Sequence, residues 1–208
     1  MGLENYRRSV SASKHASILR AGRDVFLRDG YSRASVSDIA RDAEVSTATL
    51  YKHFRSKEEL FDAVLKEAYV TIEYEDMAED ENVEDVIVAY CMRSLRTQFE
   101  RRTSALLRVV IAEVATAPER ARHLYENFIT PRHIASTQAL DELIARGKLK
   151  PHDTHYGACF LGGVMKEYFI WPTLFEANMT LPDNAETVVR QAVKVYLELY
   201  GTCPSDKN

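Results

Sequence analysis

Ser35-Val36-Ser37-Asp38-Ile39-Ala40, then Val45-Ser46-Thr47-Ala48-Thr49-Leu50-Tyr51-Lys52-His53-Phe54, then Ser56-Lys57-Glu58-Glu59-Leu60 is the stretch whose reading decides the fold. Ser35 through Asp38 has the form of a capping box and opens a short helix through Ala43. Ser46 can cap a second short helix, Thr47–Phe54. Ser56 through Glu59 is a further capping box, and it opens a long helix carrying Leu60, Phe61, Val64 and Leu65. Two short helices a few residues apart make a helix-turn-helix candidate. Ile39, Ala40, Val45 and Leu50 are small or apolar where these helices must touch, with Ala40 at the closest approach. Leu50 and Phe54, four apart, share the inward face of the second helix. That leaves Thr47, Thr49, Lys52 and His53 pointing outward, with groups able to donate to phosphates or base edges.

The same helical grammar extends in both directions. From Lys14 to Asp29, Ile18, Leu19, Val25 and Phe26 recur at helical spacing, and Gly30 supplies a stop. Downstream, the pattern predicts helices over Val83–Arg101 and Ser104–Ala117, from Pro131 (capped by Thr130) to Gly147, from an Asp153 cap to Trp171, and from Asp183 or Asn184 to Gly201. Alternating strand-type runs are missing. The expected class is all-α with about nine helices. It divides into a helix-turn-helix domain over 1–56, with a connecting helix from 57, and a helical domain over 57–208.

Composition narrows the function. Of 208 residues, 46% are hydrophobic and 28% charged, so the chain can bury a core and is no disordered or low-complexity segment. Its longest apolar runs, such as Cys159–Met165, are far too short to span a bilayer, and no signal peptide is legible. Cys91, Cys159 and Cys203, odd in number and scattered, fit free thiols, so a cytoplasmic location is expected. The net charge of −4 conceals a split. Residues 1–56 hold ten Lys/Arg against six Asp/Glu, whereas Glu73–Asp85 holds eight acids and no base. A basic head on an acidic body suits a protein whose head alone meets a polyanion. The acidic stretch itself reads as a solvated helix end and loop.

The quoted stretch closely resembles the DNA-binding domain of TetR-family transcriptional regulators, over about Ser13–Leu65, with Leu50-Tyr51-x-His53-Phe54-x-x-Lys57 as its most diagnostic run. The family pattern usually has Gly where this chain has Glu44, a turn position that often takes a left-handed backbone. The resemblance implies that Tyr51, His53 and Lys57 touch phosphates while Thr47, Ala48, Thr49 and Lys52 face the major groove. Ser35 and Ser37, at a helix N-terminus, can add backbone amides. Leu106 through Glu113, Pro118-Glu119 and Tyr125 through Phe128 resemble the AefR-like branch of regulatory domains. The implied protein is a one-component regulator, most simply a repressor. It would bind a palindromic DNA operator as a homodimer and be released by a small-molecule effector.

Small residues on the helix after Asp153 permit close helix approach, and the last helix carries a broad apolar stripe. Ala158, Leu161, Gly162, Val189, Ala192, Val193 and Tyr196 are therefore the expected dimer interface, which is also where the resemblance puts it. An effector pocket must lie among the long helices. Its candidate lining is Tyr90, Phe99, Leu107, Ile111, Tyr125, Phe128, Met165 and Phe169, with Glu113 and His123 as polar contacts and a mainly apolar or aromatic ligand.

Two alternatives bear weighing. Pro151-His152-Asp153-Thr154-His155 brings two histidines and an acid together, but the rings do not share one helical face and no further ligand is evident, so a solvated loop is the better reading. A small helical enzyme using its histidines would leave the basic head and the Tyr51–Lys57 run unexplained. A DNA-binding protein without an effector is the nearer rival. No nucleophile elbow, phosphate loop or zinc-finger spacing is present. No cofactor, no metal and no catalysis are expected.

Overall fold

The structure, a computed structural model, describes residues 2–69 and 82–202. Its helices are α1 Gly2–Asp29, α2 Val36–Asp42, α3 Thr47–His53, α4 Lys57–Ala68, α5 Val83–Glu100, α6 Thr103–Ala112, α7 Pro118–Leu124, α8 Thr130–Ala145, α9 Thr154–Met165, α10 Trp171–Phe175 and α11 Ala185–Tyr200. A π turn, Tyr125–Ile129, joins α7 to α8, and another, Lys166–Ile170, joins α9 to α10. Counted as uninterrupted helical runs, these make nine among the described residues, and no strand is found there. The expected acidic loop falls largely in 70–81, outside the described residues. Within its described end, Glu84 and Asp85 pair with Arg190 at 3.0 and 2.7 Å.

The two π turns correct the sequence reading of the later prolines. Thr130 does not cap a new helix, and the helix after Asp153 does not stop before Pro172. Each proline sits second after a π turn, at Thr130-Pro131 and Trp171-Pro172. Proline lacks an N–H and its ring crowds the carbonyl four residues back, and a widened turn just upstream makes room for both defects.

The chain divides into two compact units, Met1–Tyr69 with Ala105–Leu124, and Val70–Ser104 with Tyr125–Asn208. The first therefore takes in α4, most of α6 and α7, elements that a division at 56/57 assigns elsewhere. Side-chain hydroxyls of Ser35, Ser46 and Ser56 accept from the backbone N–H of Asp38, Thr49 and Glu59, so all three predicted caps form. Ile18, Phe26, Ile39, Ala40, Leu50, Leu60 and Phe61 are buried between α1, α2, α3 and α4. Glu44, in the α2–α3 turn, takes φ +55°, the left-handed backbone expected at that position.

The second unit packs α11 on α5 and α9, and α8 on α9. Its core includes Leu95, Leu143, Leu161, Met165, Phe169, Val189, Val193 and Tyr196. This overturns the expected dimer surface. Ala158, Leu161, Val189, Ala192, Val193 and Tyr196 are buried inside their own protomer, so they present no surface to a second copy. Gly162 faces a cavity in the same unit. Each helix has two apolar faces, and the stronger one is consumed internally. Tyr156, Tyr168, Trp171, Phe175, Val195 and Leu199 are the large apolar side chains left exposed on α9, its following π turn, α10 and α11.

Candidate nucleic-acid interface and effector cavity

The candidate recognition face is built on a helix of seven residues, α3, that owes its position to its ends. Ser46 caps it, with Oγ accepting from Thr49 N at 3.1 Å and lying 2.9 Å from the Thr49 hydroxyl. Leu50, fully buried, and Phe54, at its C-terminus, pin the inward side. The outward side is then Thr47, Ala48, Tyr51 and Lys52, all exposed, with Thr49 and His53 half-buried. His53 packs edge-on to His15 at 5.8 Å between ring centroids. Burial, then the charges of His15 and Lys14, hold its imidazole below the ordinary histidine value. At the start of α2, the Ser35 and Ser37 hydroxyls lie 2.7 Å apart, and Ser37 is exposed.

Lys57 has partners within its own unit. Its ammonium donates to the carbonyls of Tyr31 at 2.9 Å, Ala34 at 3.1 Å and Ser32 at 3.4 Å. It also lies 4.6 Å from the centre of the Tyr31 ring. Arg120 of α7 covers that ring at 3.7 Å, giving Tyr31 two cation–π partners. Glu113 completes the cluster. Its carboxylate accepts from the Ser32 hydroxyl at 2.6 Å, from Ser32 N at 3.3 Å and from Arg120 at 3.3 Å. Residues from the α1–α2 loop, α4, the α6–α7 turn and α7 are thus tied into one polar knot within the first unit. Glu113, paired with Arg120, is a member of this knot and not a lining residue of the cavity.

The second unit encloses a cavity of about 180 Å³ between α5, α8, α9 and the π turns. Leu95, Leu140, Leu143, Leu161 and Met165 line its apolar part, and Ser94, Gln98, Arg132, His133, Ser136 and Lys166 bring polar groups. The Tyr90 hydroxyl lies 3.2 Å from Ser136 Oγ, and Arg132 reaches Ser94 Oγ at 3.4 Å. Two fixed cations and no carboxylate stand among these lining residues.

Of the ten residues expected in the pocket, Tyr90 and Met165 line the cavity. Leu107, Ile111, Glu113 and His123 lie in the first unit, where Ile111 is exposed and His123 meets Asp62 at 3.2 Å. Phe169 is sealed in the core, Phe99 packs against that core, Tyr125 is exposed and Phe128 half-buried. Arg132, His133 and Ser136 escaped the sequence reading. Their signal was present, since Ile129, Arg132, His133, Ser136, Leu140 and Leu143 recur at three- and four-residue spacing and share one face of a helix.

Residues 85–202 match the family model of the AefR-like transcriptional repressor C-terminal domain, and residues 18–64 match that of bacterial regulatory proteins of the tetR family. The A-factor receptor protein of Streptomyces griseus is 44% identical over 59 residues, which are 28% of this chain and 21% of that protein. The HTH-type transcriptional regulator UidR of Escherichia coli is 26% identical over 136 residues, 64% of this chain and 68% of its own. Among solved structures, a TetR-family transcriptional regulator from Mesorhizobium loti superposes with a TM-score of 0.74 at 23% identity, covering 92% of this chain and 98% of that one. The flavonoid-responsive regulator FrrA superposes with a TM-score of 0.70 at 24% identity, covering 90% and 97%.

Proposed function

This chain belongs to the TetR family of bacterial transcriptional regulators, with an AefR-like C-terminal domain, and from that premise we propose that it is a ligand-responsive repressor acting as a dimer on a palindromic operator. The observation that carries the DNA half is the outward face of α3, where Thr47, Ala48, Tyr51 and Lys52 stand exposed on a helix whose other side is buried. Thr47, Ala48, Thr49 and Lys52 read base edges in the major groove; Tyr51, with His53 and the α2 N-terminus at Ser35 and Ser37, meets phosphates. Two such helices enter successive major grooves when about 34–36 Å, or a multiple, separates them. The dimer forms through the exposed apolar side chains of α9, α10 and α11.

The cavity takes the effector. Its apolar walls with Arg132 and Lys166 suit a mainly apolar or aromatic molecule carrying one anionic or hydrogen-bond-accepting group. Similarity to a regulator named as flavonoid-responsive supports an aromatic class. An effector that binds better to a state with the wrong half-site spacing weakens operator binding by linkage. The work is done at chromosomal DNA, hence in the cytoplasm.

Selection of duplexes from a random pool by the full-length protein tests the reading. An enriched inverted repeat, bound with an affinity that falls steeply with salt, is the expected result. Lys52→Ala then shifts the preferred bases, and Tyr51→Phe weakens all sequences alike. Absence of any enriched sequence, or binding indifferent to salt, overturns it.

A further inference from the structure

His155 and Cys159 stand one helical turn apart on α9 and leave its same face. His133 approaches them from α8. Its Nε2 lies 2.9 Å from His155 Nδ1, with the rings edge-to-face at 4.6 Å between centroids. The Cys159 sulfur joins them, so that all three ligand atoms lie within 4.8 Å of one another. The neighbouring histidine singled out by spacing is engaged elsewhere, because His152 meets the Lys150 carbonyl through Nδ1 and the Tyr196 hydroxyl through Nε2. The fold thus dissolves the local pair His152–His155 and recruits His155 into a group that no stretch of sequence displays.

We propose that His133, His155 and Cys159 form a binding site for a borderline-soft divalent cation of the zinc type. Two imidazole nitrogens and a thiolate are the donors that such cations prefer, whereas calcium and magnesium demand oxygen. Metal–nitrogen bonds of about 2.0–2.1 Å and metal–sulfur bonds of about 2.3 Å put tetrahedral ligand atoms about 3.3–3.6 Å apart. The two imidazoles must open by about 0.4 Å and the sulfur swing inward. Both moves fall to His155 and Cys159, which are exposed, while His133 is half-buried and holds its place. Three protein ligands leave a fourth position for water. His133 also lines the cavity, so the cation sits in its wall.

Untagged, reduced full-length protein stripped with a chelator is titrated with Co²⁺, whose thiolate complexes absorb in the near-ultraviolet. A band saturating at one ion per chain, bleached by Zn²⁺, is expected. Cys159→Ser abolishes the band, and His155→Ala weakens Co²⁺ affinity at least tenfold. Cys91→Ser leaves it intact, since burial pushes that thiol up to about 12. Cys159 and His155 are both exposed, so their variants keep the fold, which far-ultraviolet circular dichroism verifies. No saturable band, or a band that survives Cys159→Ser, overturns the proposal.

Discussion

Lys57 shows how one side chain can carry a family's motif and a structural duty together. At the first turn of α4 its charge opposes the helix dipole, yet three carbonyls of the α1–α2 loop and the face of Tyr31 receive it. Lys57→Met leaves those carbonyls with fewer donors and is expected to cost about 1–3 kcal/mol of stability, seen as a lower melting temperature of the free protein. A lysine serving phosphates alone would leave melting unchanged and only flatten the salt dependence of DNA binding, so the two measurements separate the roles. His53 gives a pH dependence with a definite sign. Its folded value is depressed by burial against α1, so the unfolded chain takes up its proton first, near pH 6.5. Its contribution is intact above that pH and is lost as pH falls through the depressed folded value. Melting curves between pH 7.5 and 5.5 should therefore show a steeper fall for the native protein than for His53→Gln.

Among the elements, α9 and α11 teach that an apolar stripe has a side as well as a strength. Val189, Val193 and Tyr196 of α11 are wholly buried in the protomer, whereas Val195 and Leu199, one turn apart, are 49% and 58% exposed. The dimer reading therefore moves to the second pair. Val195→Glu with Leu199→Glu should convert dimer to monomer in sedimentation velocity, with an unchanged circular dichroism spectrum. Val193→Glu should instead unfold the second unit, because a carboxylate would enter a closed apolar core. A double variant that remains dimeric would place the interface on other helices.

For the molecule as a whole, the question is whether cavity occupancy and operator binding are coupled. Gly162 offers a way to ask it, since a Cβ built there meets nothing within 4 Å and the residue lines the cavity. Gly162→Leu fills part of that space and removes a helix-interior glycine, a change worth up to about 1 kcal/mol in favour of folding. The expected protein melts no lower than the parent, binds its selected operator as well, and no longer lets go when supplied with the small molecule extracted from natively purified parent protein. Release that persists in this variant would take the effector out of the cavity.

What the sequence alone determined is what depends on neighbours within a few turns. Capping serines, helical periodicity, the inward Leu50 and Phe54, and the outward Thr47 and Lys52 are local patterns, and a helix translates spacing directly into direction. The left-handed backbone at Glu44 was legible only through the resemblance, whose family pattern usually has glycine at that turn position. Tertiary structure alone decided which of two apolar faces turns inward on α9 and α11, because both faces satisfy the same periodicity and only packing, against α8 for the one and α5 for the other, chooses. It likewise assigned Glu113 to Ser32 and Arg120, partners 81 residues upstream and seven downstream. It brought His133 to His155 across 22 residues. A carboxylate or an imidazole finds its partner through the packing of whole helices, and chain separation carries no trace of that choice.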